Sequence, residues 1–219
     1  MCQFLSALVT GNDIYVADGI DSHEALYDHF SLRRDDRRVV PVEFYPDSWD
    51  DIWNTAAYKL RIDLPTDLIP EWLTDEVKER VTDRLRARIQ SQLDDGKLMC
   101  EVLHCHNCTS LQSLPELPAC KELYCYNCDS LQSLPKLPEC KLLYCYNCDS
   151  LQSLPELPEC KLLDCSGCSA LQSLPELPAC VDLICRDCNS LQSLPELPMC
   201  ISLRCDERLR AMRKPAREE

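Results

Sequence analysis

The apolar positions of this chain obey different rules in its two halves. Up to about residue 97 the pattern changes from segment to segment. CQFLSALV and DIYVA are apolar, β-rich runs on either side of Gly11-Asn12-Asp13, which predicts a strand pair joined by a turn. Asp21-Ser22-His23-Glu24 has the form of a helix start, and EALYDHFSL comes after it. VVPVEFYP and YKLRID predict two further strands. From Glu71 to Leu93 the spacing becomes helical, with Leu73, Val77, Val81, Leu85, Ile89 and Leu93 on one stripe. Residues 1–97 therefore read as a small α+β domain ending in a long helix, expected to abut the first coil of a repeat array.

From Cys100 the pattern is periodic, with a step of 20 residues. Cys100, Cys120, Cys140, Cys160, Cys180 and Cys200 open successive units. Cys105, Cys125, Cys145, Cys165, Cys185 and Cys205 stand at the sixth position, and Cys108, Cys128, Cys148, Cys168 and Cys188 at the ninth. Each full unit continues through Leu-Gln-Ser-Leu and Pro-x-Leu-Pro. One such unit cannot bury its apolar side alone, so residues 98–205 predict a solenoid of five full units and the start of a sixth. Positions 3 to 7 alternate: Leu143 and Cys145 bracket an outward Tyr144, which gives a short strand. Stacked units place these strands in a parallel sheet with a step of ~4.8 Å. Asn107, Asn127, Asn147, Gly167 and Asp187, just before the ninth position, are residues that permit a bend out of the strand. Two prolines per unit lack donors and fix φ, so the return arm is extended and the repeats hold little helix. The charged segment 206–219 reads as a short helical cap that lays Leu209 and Met212 on the last coil and frays after Pro215.

The unit C-x-x-L-x-C-x-x-C-x-x-L-x-x-L-P-x-L-P-x resembles the shortest type of leucine-rich repeat over about half of the chain. Its Pro-Glu-Leu-Pro arm is similar to that of leucine-rich-repeat effectors of bacterial pathogens and of repeat proteins of large DNA viruses. That family usually has an aliphatic residue at the first position and Asn at the ninth, where this chain has Cys. Cys at the ninth position resembles the cysteine-containing repeat subtype of eukaryotic proteins. The resemblance implies a scaffold that binds a protein partner on its strand, or concave, face. MCxF, IDSHE and the Pro-x-Trp before the long helix resemble an N-terminal domain that precedes repeat arrays in phage and viral proteins, and imply no function.

Charge removes several functions. With 23 Lys and Arg against 37 Asp and Glu, the chain carries −14 and no basic stripe, so no nucleic acid is expected as partner. No apolar run approaches the ~20 residues of a membrane helix. The first residues show neither a basic flank nor a small-residue cleavage site, so no signal peptide and a cytoplasmic location are expected, the host cytoplasm if the protein is viral. Gly occurs only 4 times and Cys 18 times. In a reducing compartment so many thiols are either buried and inert or bound to metal.

The C-x4-C-x2-C spacing matches the first three ligands of plant-type iron–sulfur ferredoxins, and C-x2-C is a common zinc spacing. Here the spacing recurs in register with Leu, at positions the repeat family fills with core residues. Cys serves there as a small hydrophobe, and at the ninth position its thiol can bond neighbouring backbone at the turn. No metal is favoured. The alternative is a thiol-lined solenoid in which these seventeen cysteines hold an iron–sulfur cluster, Zn or Cu(I). Such a ligand would offset the hydrocarbon lost when Cys replaces an aliphatic residue, ~0.8 kcal/mol per CH₂. CEVLHCHNC looks like a mixed Cys/His zinc site, but alternation sends His104 and His106 to one face and Cys105 to the other.

The Leu-Gln-Ser-Leu-Pro arm is identical in all five full units, whereas the outward strand positions vary. Position 5 reads His104, Tyr124, Tyr144, Asp164, Ile184, Arg204, and position 7 reads His106, Tyr126, Tyr146, Ser166, Arg186, Asp206. Tyr124, Tyr126, Tyr144 and Tyr146 therefore form a four-ring patch, with His104 and His106 beside it and Lys121, Lys141 and Lys161 along its edge. Tyr-rich surfaces with a charged rim suit protein interfaces, and these residues are the candidate partner contacts. No catalytic residue is expected. Cys2 resembles the nucleophile that opens class II amidotransferases, but residues 1–97 are too few for their sandwich, so Cys2 reads as a strand residue. A ubiquitin-ligase domain, suggested by the pathogen effectors, has no room or cysteine in the 14 residues after Cys205.

Overall fold

A computed structural model describes residues 5–11, 13–17, 22–46, 56 and 58–211. Cys2, Asn12, Asp21, Met212 and Pro215 lie outside the described residues. The chain divides into two compact units, Met1–Val102 and Leu103–Glu219.

The first unit is α+β. Strands β1 (Leu5–Val9), β2 (Ile14–Tyr15), β3 (Val40–Pro46) and β4 (Tyr58–Ile62) form an antiparallel sheet in the order β2-β1-β3-β4. The β1–β2 turn is closed by Thr10, whose N–H donates to the Asp13 carbonyl at 2.9 Å. Helix α1 (His23–His29) begins where the Ser22 hydroxyl accepts from the Ala25 N–H at 3.1 Å, an N-cap that satisfies an otherwise orphaned donor. Leu8, Leu26, Tyr27 and Val39 make the core between α1 and the sheet, with Tyr15, Ala17, Phe30 and Leu32 packed against them.

The long helix, α2 (Asp75–Asp94), starts four residues later than the apolar stripe predicts. The Thr74 hydroxyl accepts from the Val77 N–H and so sets the N-terminus, while Leu73 lies in a turn whose N–H reaches the Pro70 carbonyl. Val81, Leu85, Ile89 and Leu93 are buried as the stripe requires, and Val77 is half-buried. No helix among the described residues is long and apolar enough to cross a membrane.

The second unit is a parallel-strand solenoid. Strands β5 (Val102–His104), β6 (Glu122–Tyr124), β7 (Leu142–Tyr144), β8 (Leu162–Asp164), β9 (Asp182–Cys185) and β10 (Ser202–Cys205) form a six-stranded sheet in sequence order. The register is one unit per step: Leu123 faces Leu143, Leu143 faces Leu163, and Leu163 faces Leu183. The ladder runs past the strands, because the Cys125 and Asn127 N–H groups donate to the Tyr144 and Tyr146 carbonyls at 2.9 Å. The chain then bends where Asn107, Asn127, Asn147 and Asp187 take φ between +55° and +61° and Gly167 takes +72°. These are the turn positions read from the sequence, and they use the residue types that tolerate the left-handed region. The arms are extended, and Leu131, Leu137, Leu151, Leu157, Leu171 and Leu177 project inward and are fully buried or nearly so.

Helix α3 (Glu207–Ala211) follows the last strand, and its Leu209 is buried. Its Arg208 adds what the sequence does not announce: the guanidinium donates to the Leu191 and Cys188 carbonyls of the fifth unit.

Candidate functional site

Strand alternation sorts the side chains of the solenoid into two sets. Inward stand Leu at position 4 and Cys at position 6; outward stand positions 5 and 7. Cys105, Cys125, Cys145, Cys165 and Cys185 are buried, and His104, Tyr124, Tyr144, His106, Tyr126 and Tyr146 are half-buried.

The outward rings stack. His104 lies on Tyr124 with centroids 4.1 Å apart and planes within 4°, and Tyr124 lies on Tyr144 at 5.1 Å and 7°. Beside them His106 stacks on Tyr126 at 4.6 Å and 8°, and Tyr126 on Tyr146 at 4.4 Å and 7°. The strand step of ~4.8 Å dictates this arrangement, since identical positions on adjacent parallel strands hold flat rings at nearly stacking distance. The sequence places the six rings together, and the structure joins them into two columns, three rings each. Such columns present ring edges and hydroxyls along their sides and whole ring faces only at their ends.

Electrostatics differ along the columns. Burial pushes the His104 imidazole below its ordinary value, reinforced by His106, which favours the neutral ring. The Tyr124 phenol is pushed up to about 12 by burial and by its bond to the Glu122 carboxylate, which accepts at 3.0 Å. Lys121 is half-buried, whereas Lys141 and Lys161 are exposed, and their backbones form one ladder along the strand starts. That column continues as Val181 and Ile201, which are exposed apolar side chains.

The seventeen repeat cysteines carry their sulfurs as thiols. All are buried except Cys200 and Cys205, which are half-buried. At the ninth position the thiols bond the backbone of the preceding unit: Cys128, Cys148, Cys168 and Cys188 donate to the carbonyls of Cys105, Cys125, Cys145 and Cys165 at 3.0–3.1 Å. First-position thiols also donate, a role that spacing alone does not reveal. Cys120, Cys140, Cys160, Cys180 and Cys200 each reach the carbonyl two residues on, at 3.2–3.4 Å. A donating thiol holds its proton, whereas a metal ligand must lose it. Burial pushes Cys160 up to about 12 and Cys180 up to about 11, with the neighbouring thiol of the column adding to each.

Turn side chains form a ladder of their own. The Asn127 amide donates to the Asn107 Oδ1 at 2.7 Å and that of Asn147 to the Asn127 Oδ1 at 3.1 Å. Among the described residues, the one trio of metal-ligand side chains drawn within 4.8 Å is not in the solenoid. It is His23, Glu43 and Asp63, from α1, β3 and the residue after β4. His23 Nε2 lies 2.9 Å from the Val42 carbonyl and Nδ1 lies 3.4 Å from Asp63. Buried Glu43 is already paired with Arg61 across the sheet. With its carboxylate taken by a guanidinium, the trio serves as a polar clamp between α1 and the sheet. The sequence gives no signal for it, because three separate elements supply its members.

Comparison of this chain with protein-family models, with curated proteins and with solved structures finds no match.

Proposed function

We propose that this chain is a leucine-rich-repeat scaffold without enzymatic activity that binds a protein partner through the strand face of its solenoid. The observation that carries this reading is the pair of stacked columns formed by His104, Tyr124 and Tyr144 and by His106, Tyr126 and Tyr146. Six half-buried rings held by one another lose little freedom on binding, and Tyr supplies large contact area with a polar tip. Lys121, Lys141 and Lys161 supply a charged rim. The repeat-family assignment is supported by the 20-residue period, by one strand per unit, and by the ninth-position thiol, which satisfies a carbonyl at the turn as that family's Asn does. First-position thiols such as those of Cys160 and Cys180, buried, pushed up in pKa and engaged as donors, favour this scaffold over the metal-binding alternative.

The test is replacement of Tyr124, Tyr126, Tyr144 and Tyr146 together by Ser. Parent and variant, each immobilised under reducing conditions, are compared for the proteins they retain. The expected outcome is an unchanged circular dichroism spectrum and loss of the retained partner. An equal yield of the same partner from the folded variant rejects the strand face as the contact surface.

A further inference from the structure

Building on that reading of the strand face, we propose that the step in the aromatic column beyond Tyr144 receives an arginine side chain of the bound protein. The column at position 5 ends abruptly. Tyr124 covers one face of Tyr144, and on the other side the register carries the position to Asp164 and then to Ile184. Asp164 is far shorter than a tyrosine. Two strand steps, roughly 9.6 Å, therefore separate the plane of Tyr144 from Ile184, and the residue at this position between them is Asp164. A flat group stacking ~3.5–4.0 Å from the bare Tyr144 face extends the column by one layer and meets Ile184 on its far side.

Two carboxylates say which flat group that is. Asp164 forms the floor, and its Oδ1 accepts from the Ser166 N–H at 3.1 Å and the Ser166 hydroxyl at 2.8 Å, which fixes its orientation. Asp182 stands on the same outward face, two residues before Ile184, and its Oδ1 is shielded from solvent without a hydrogen-bond donor. An aromatic guest would stack but bring neither charge nor donors to the carboxylates. An ammonium would answer the charge but has no plane to stack. A guanidinium does both, presenting a π-face to Tyr144 and a fork of donors to carboxylate. Arg186 lines a cavity of about 420 Å³ with Cys205, Asp206, Glu207 and Arg210, toward the C-terminal cap. The net charge of −14 also draws a cationic segment to the protein.

The experiment uses the full chain and three capped pentapeptides, Gly-Gly-Xaa-Gly-Gly, with arginine, lysine or citrulline at the centre. Upfield ring-current shifts of the central residue's side-chain protons are followed by NMR as peptide is titrated to roughly 10 mM, where millimolar affinity is readable. The arginine peptide should show a saturable shift, with the lysine and citrulline peptides weaker by about tenfold or more. Asp164→Tyr fills the gap with the residue that the two preceding units carry at this position, and should abolish the shift; Asp164→Asn should weaken it by about tenfold. A folded parent that shifts no arginine proton overturns the proposal, as does an undiminished shift in Asp164→Tyr or equal binding of citrulline. Asp164→Tyr keeps all six rings. If it retains the natural partner while the four-tyrosine variant loses it, the arginine slot falls and the strand-face reading stands.

Discussion

Replacing Cys148 by Ala tests whether the ninth-position thiols hold the coils together. Cys148 is fully buried, and its thiol donates to the Cys125 carbonyl of the preceding unit at 3.0 Å. Alanine leaves that carbonyl inside the solenoid without this donor, which costs about 1–3 kcal/mol. Removing the sulfur forfeits roughly the transfer energy of one methylene, ~0.8 kcal/mol, and leaves a small void. The sum is about 2–4 kcal/mol, a large fraction of the stability of a domain this size. Serine keeps a donor in the same place and should lose at most about half as much. Valine fills the space without donating and should lose about 1–3 kcal/mol. Urea unfolding under reducing conditions gives the ranking, and hydrogen exchange shows whether the loss is centred on the second to fourth units, since a repeat array can open locally. An alanine variant within ~0.5 kcal/mol of the parent, or serine and alanine variants of equal stability, would refute the idea that thiol donation secures the stack.

Other parts of the solenoid carry three further expectations. Gly167→Ala should destabilise by about 1–2 kcal/mol for its left-handed φ alone, and more because the new Cβ crowds Asn147 Oδ1; an unchanged melting temperature would contradict this. The His104 imidazole titrates below its ordinary value in the folded chain, because burial and His106 disfavour its charged form. The resulting stability is present above about pH 6.5 and is lost as pH falls through the depressed folded value, so urea midpoints should drop on acidification, and His104→Phe should remove that part of the drop. Arg208→Ala should speed hydrogen exchange in the last coil while leaving the second and third units unchanged, since the guanidinium donors it removes serve the Cys188 and Leu191 carbonyls of the fifth unit; equal acceleration across the array would contradict a local capping role.

What the sequence discloses about this fold is whatever depends on periodicity and on local backbone chemistry. The 20-residue step places every strand of the solenoid, and the Asn, Gly and Asp before the ninth position mark its left-handed residues. Ser22 announces the start of α1. The start of α2 is different, because the apolar stripe runs back to Leu73, whereas the end of a helix is decided by which side chain satisfies its first donors, here Thr74. The first-position thiols are legible as core but not as donors, since their bonds depend on how the chain turns into the strand two residues later. Adjacency of the six rings comes from register. Their parallel stacking does not, because it is set by rotamers that neighbouring rings choose together. The clamp of His23, Glu43 and Asp63 and the capping role of Arg208 depend on tertiary placement and leave no local trace.

The same alternation that buries the thiols also fixes how any partner must approach. Inward, Leu and Cys repeat almost without change, so each coil can stack on the next. Outward, rings occupy units one to three and give way at Asp164 and Ser166. A surface written in this way runs across the strands, not along them, and its features advance ~4.8 Å per unit. A segment lying parallel to a single strand meets only positions 3, 5 and 7 of one unit and samples one layer of each column. Contact with His104, Tyr144 and Asp164 together requires a segment that crosses four strands and spans roughly 14 Å. An extended chain repeats its same-face side chains every ~6.6 Å and drifts out of phase with that step, whereas a helical turn of about 5.4 Å stays within about 2 Å of it over three steps. Recognition of the rings and of the acidic step as one surface therefore depends on the order of the units. Exchanging the third and fourth would set the acidic step between two tyrosines and break each column, without altering a single inward residue type.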